Sequence, residues 1–181
     1  MRLESAVAAY LTGRIPGLHA FKDEVAFVAA GNPYPYFLID LISSRRKPVG
    51  TGVWDRIMSD NGAGIATKAV AVHQVLRFTV RAANTPQKNG NAAVGEICDR
   101  IEALLSDLCR EGSEKLPIPE SEESVHLTSV LFQGRYDIPP IEKGLPFVYQ
   151  QALSFLFVEQ QVTSKSVTTS MNKISISYTE A

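Results

Sequence analysis

The stretch from Asn91 to Leu108 constrains this chain more than any other. Val94, Ile97, Cys98, Ile101, Leu104, Leu105 and Leu108 recur at three- and four-residue spacing, which winds them into one apolar stripe along an α-helix. Asp99, Ser106 and Arg110 fall on the opposite side, while Arg100, Glu102 and Asp107 flank the stripe. Asn91 is the expected N-cap, and Gly112 the expected end. Such a stripe is stable only when covered, so the helix must lie on a sheet or on another helix.

The sheet is legible on both sides of that helix. In His73 to Ala82, Leu76, Phe78 and Val80 alternate with Arg77, Thr79 and Arg81, the period of two of a strand with one wet face. Tyr34 to Ile42 is apolar on both alternating faces except at Asp40, which predicts a strand covered on both sides. Pro35 is tolerable there only near the strand start. Val125 to Gln133 and Phe147 to Val158 read as further strands, the latter nearly all apolar from Leu153 onward. Residues 3–12 carry a short amphipathic helix (Leu3, Ala6, Val7, Tyr10, Leu11) that Gly13 and Pro16 end.

Between these elements the chain reads as turns. Residues 14–33 suggest a turn, a short element and a loop. Arg45-Arg46-Lys47-Pro48 with Gly50 and Gly52 suggests a solvated turn, and Asp60 to Gly64 a flexible tip. Residues 113–123 form a polar connection, and 137–146 a loop containing Pro and Gly. Nine of the last twenty residues are Ser or Thr, with Ile174, Ile176 and Tyr178 alternating among them. That mixture predicts an extended arm or edge strand over 162–181, following a single domain over 1–161.

Catalytic chemistry finds little to stand on. His19, His73 and His126 form no H-x-x-H pair, and Cys98 and Cys109 no C-x-x-C pair. There is no G-x-S-x-G elbow, and neither Gly50-Thr51-Gly52 nor Gly62-Ala63-Gly64 has phosphate-loop spacing. The expectation is no catalytic residue, no metal ligand and no cofactor. With 18 basic against 19 acidic side chains, the chain lacks the positive excess that coating nucleic acid or an anionic membrane rewards. Two cysteines make no disulfide scaffold, and no apolar run approaches a bilayer span, so the expected setting is cytosolic.

Three patches carry a family resemblance: Tyr34-Pro35-Tyr36-Phe37-Leu38-Ile39, His73-Gln74-Val75-Leu76-Arg77-Phe78-Thr79-Val80, and the helix from Asn91 to Leu108. In this order they resemble the tail terminator, or tail-completion, proteins of long-tailed bacteriophages. The resemblance spans roughly residues 1–158. It implies an α+β fold, a mostly antiparallel sheet with two or three helices on one face, here followed by the C-terminal arm. It also implies a non-enzymatic subunit of the virion neck, assembled in the host cytoplasm into a ring, commonly a hexamer. That ring caps the tail tube and meets the head–tail connector, with at most passive contact with passing DNA and none with membrane. The alternatives are another neck protein (head closure or tube), or a small cytosolic α+β enzyme or ligand-binding domain. For a ring subunit the interface candidates are Phe155, Leu156, Phe157 and Val158 with Ile174, Ile176 and Tyr178. For the strand residues the competing reading is that Phe155 and Phe157 are core and Leu156 lies under the chain's own arm. Arg45, Arg46, Lys47, Arg77 and Arg81 are candidates for a channel lining or contact loop, or simply face water.

Overall fold

A computed structural model describes residues 2–49, 55–58, 63–86, 88–141, 147–170 and 173–178. The elements run α1 (Arg2–Thr12), β1 (His19–Phe21), α2 (Glu24–Ala29), β2 (Tyr36–Pro48), β3 (Asp55–Met58) and β4 (Ala63–Ala83). They continue with α3 (Gly90–Asp107), β5 (Glu114–Pro117), β6 (Ser124–Ile141), β7 (Val148–Ser170) and β8 (Lys173–Tyr178). The fold is α+β. The strand order is β1-β2-β4-β7-β6-β5, with β3 paired to β4 and β8 to β7. β1 runs parallel to β2, while β3–β4, β5–β6, β6–β7 and β7–β8 are antiparallel.

Two compact units share these strands. The first comprises Met1–Ser44 and His73–Glu159, the second Arg45–Val72 and Gln160–Ala181. In the first unit, Leu3, Ala6, Val7 and Leu11 of α1 and Val94, Ile97, Cys98, Ile101 and Leu105 of α3 cover one sheet face. There they meet Phe37, Leu76, Phe78, Val80, Leu153, Phe155 and Phe157 in one core. Each fully buried Leu or Phe contributes about 1.5–3 kcal/mol. The Tyr10 hydroxyl donates to the Leu104 carbonyl at 3.4 Å, joining the two helices. Tyr36 precedes Phe37 and so points to the opposite face. There Phe27 of α2 stacks on it, ring centroids 3.9 Å apart. Two helices thus share one face, and the six-residue α2 caps the other.

Several local expectations need correction. The cap of α3 is Asn89, whose side chain accepts from the Asn91 N–H at 2.8 Å. The helix ends at Asp107, before Cys109 takes a positive φ of 68°. Arg45, Arg46, Lys47 and Pro48 are not a turn. They continue β2, and the next residue, Val49, donates its N–H to the Ala69 carbonyl at 3.2 Å. The polar 113–123 connection contains β5, and residues 14–33 hold β1 and α2. β4 starts at Ala63, ten residues before the alternation becomes visible. β6 passes through Pro139 and Pro140 to Ile141, with a register shift between Ile138 and Ile141. The Pro139 carbonyl accepts from Gln150 Nε2 at 2.7 Å, which uses an acceptor the ladder leaves over. The extended arm or edge strand expected over 162–181 is strand where it is described: residues 162–170 end β7, and β8 folds back on them. Gly50 and Gly52, residues 60–62 of the expected tip, and 142–146 of the expected loop lie outside the described residues.

Candidate subunit interface

The aromatic pair of β7 is internal. Phe155 and Phe157 are fully buried in the first unit's core, so they offer no surface to a neighbour. Leu156 and Val158 point to the other face and are half-buried, opposite Leu131 and Ser129 of β6. On β8, Ile174, Ile176 and Tyr178 occupy register positions opposite Thr169, Val167 and Lys165.

The basic candidates separate into three situations. Arg45, Arg46 and Lys47 are exposed along the second half of β2. Arg77 is exposed and paired with Asp40 of β2 at 2.9 Å. Arg81 is half-buried and engaged within the chain. Its guanidinium pairs with Glu24, donates to the Tyr36 hydroxyl oxygen at 2.8 Å and to Gln150 Oε1 at 3.0 Å. The Tyr36 hydroxyl in turn donates to Glu24 Oε2 at 3.2 Å. Four elements, α2, β2, β4 and β7, meet in this cluster. Burial pushes the Tyr36 phenol up to about 12, against the lowering effect of Arg81. Burial opposes the charge on Arg81, but its contacts with Tyr36 and Glu24 outweigh that and hold its pKa above the ordinary value. The role is to hold α2 on the sheet.

A second cluster does the same on the helix face. Arg135 of β6 donates to Asp99 of α3 at 2.5 Å and to Gln151 of β7 at 2.7 Å. Gln151 passes a further bond to Asp137 at 2.7 Å.

What the sequence does not announce is where apolar side chains stay wet. Leu41 and Ile42 on β2 are 45% and 52% exposed; Leu131, Phe132 and Tyr136 on β6 are 54%, 39% and 54% exposed. Apolar residues in a strand read as core, so composition and period give no signal for them. The cause lies in pairing. β1 reaches only Tyr36 to Leu38 of β2, and β5 only Ser124 to Leu127 of β6. Beyond those registers both outer edges lack a strand partner among the described residues. Beside the β2 edge lies a groove of about 460 Å³ whose apolar lining is Ala8, Ala20, Phe21, Ile39 and Leu41.

Among the described residues no three His, Cys, Asp or Glu side chains gather where they could hold a metal. Burial pushes the Cys98 thiol up to about 12 and also raises Cys109, disfavouring the nucleophilic thiolate. No described helix is long and apolar enough to cross a membrane. No family model matches the chain, and no curated protein matches it significantly.

Proposed function

We propose that this chain is a structural subunit of a phage neck: a tail terminator that closes into a ring, caps the tail tube and presents the surface joined to the head connector. The observation that carries the reading is the pair of unlike open edges, β2 beyond Leu38 and β6 beyond Leu127, each bearing exposed apolar side chains. A ring needs two different surfaces that meet head to tail and close by rotation, and unpaired strand edges rich in apolar residues are costly unless covered. The resemblance in Tyr34–Ile39, His73–Val80 and Asn91–Leu108 supplies the phage context. The reading calls for no catalytic group and no cofactor. It places the protein in the virion neck, with the tail tube, the head–tail connector and copies of itself as partners.

The test is reconstitution. Purified protein is mixed with isolated, unterminated tail tubes and imaged by cryo-electron microscopy. The reading expects a ring, six-fold in the commonest arrangement, at one end of each tube. Bare tube ends at saturating protein would overturn it, and a ring seated on a capsid portal instead would move the chain to the head-closure class.

A further inference from the structure

We infer that the ring closes by strand addition: residues 39–44 of β2 in one copy pair antiparallel with residues 128–133 of β6 in the next, Ile42 opposite Leu131 and Leu41 opposite Phe132. The inference rests on the ring reading and names the surface that forms the ring.

Strand direction is the first argument. Tyr36 and Asp40 meet Arg81 and Arg77, so β2 runs against β4. Gln150 meets Arg81 and Glu159 meets Gln74, so β4 runs against β7. β6 is antiparallel to β7. β2 and β6 therefore point in opposite directions within one copy, and copies related by rotation about an axis along the strands bring these edges together antiparallel.

Level and face agree with that sense. Asp40 is held to Arg77; the next residue, Phe78, meets Phe155 at 5.9 Å between ring centroids, and Phe155 is the register partner of Phe132. In the antiparallel ladder Phe78 stands opposite Ile39, so Phe132 lies at the level of Ile39, within two residues of Leu41, and a tilt of the strands to the ring axis brings Leu41 opposite Phe132. Phe132 shares the helix-covered face with Phe155, as Leu41 shares it with Phe37 by alternation. Ile42 and Leu131 share the other face. Phe132 would stand beside the groove lined by Phe21, Ile39 and Leu41.

Charge argues for the same direction. Along β2 the segment is followed by exposed Arg45, Arg46 and Lys47; along the chain the β6 segment is preceded by exposed Glu120 and Glu122, and by Glu123, which pairs with Arg2. Antiparallel addition sends the basic end toward the acidic one, and parallel addition would separate them.

Cysteine pairs test the register. Directly opposite residues bring Cβ atoms to about 4.5–5.5 Å, near enough for a disulfide after small adjustment. The double variant Ile42→Cys with Leu131→Cys should give a ladder of covalent oligomers under mild oxidation, and an equimolar mixture of the two single variants should stop at dimers. Wild type, with its own two thiols, is the control. Dimers formed by one single variant alone would show a two-fold edge pairing and overturn the inference. In parallel, Leu131→Lys and Ile42→Lys, both at exposed positions, should keep the wild-type circular dichroism and raise the concentration for half-assembly about tenfold or more. A wild type that assembles while these variants assemble equally well would reject the edge pairing and leave the ring reading standing. A wild type that never assembles would reject the ring reading itself.

Discussion

Tyr36 is a residue at which a change to alkaline pH should register. Its phenol is raised to about 12 by burial, from an ordinary value of 10.0. Between those values the unfolded chain gives up the proton and the folded one keeps it. The folded state then binds more protons, so stability must fall as pH rises from about 10 toward 12. The urea midpoint of wild type should drop through this window more steeply than that of Tyr36→Phe, which at neutral pH loses about 1 kcal/mol with its two hydrogen bonds. Parallel pH curves for the two proteins would contradict the cluster as described. β7 gives a second residue-level contrast. Phe155→Ala should cost about 3–5 kcal/mol in chemical denaturation and Leu156→Ala about 1 kcal/mol, because the first side chain is internal and the second half-wet. The alternation along Leu153 to Val158 could not distinguish them, since both faces carry apolar residues.

At the scale of elements, α3 was legible and its start was not. The stripe from Val94 to Leu105 is buried as its spacing requires. Asn89 and Asn91 are equally good caps in sequence, and the choice falls to Asn89 because Gly90 packs against the strands. A Cβ on Gly90 would come within 2.8 Å of the Tyr149 ring and 3.0 Å of the Ala82 carbonyl. Gly90→Ala should therefore lower stability by about 1–3 kcal/mol. Gly134→Ala, whose closest neighbour is the tip of the exposed Tyr136, should have a smaller effect. β1 and α2, three and six residues long, are too short to display a period. The later half of β2 failed for another reason: Ser43 to Lys47 are exposed on both faces, and a strand with no buried side imposes no alternation. The core described for the first unit draws on residues from Leu3 to Phe157. Ending the chain at Gln161 should leave near-ultraviolet circular dichroism of the first unit intact, and losing that signal would show a core dependent on β8.

For the whole molecule, the α+β class followed from one helical stripe and a few alternating strands, whereas the candidate interface stayed hidden. Leu131, Phe132 and Ile42 look like core in any sequence, and only the short reach of β1 and β5 reveals them as edges. Arg81 misleads in the reverse sense, looking like a free cation while it is tied to Glu24, Tyr36 and Gln150. The proposed subunit would act by shape and edges rather than by a reacting group, and a near-neutral charge suits contact with other proteins. Light scattering coupled to size exclusion, run from low to high concentration with tail tubes then supplied, tests that most directly. The expected result is a concentration-dependent multiple of the 19.8 kDa chain that resolves as closed rings on tube ends. A strict monomer at every concentration, with tube ends left bare, would contradict it.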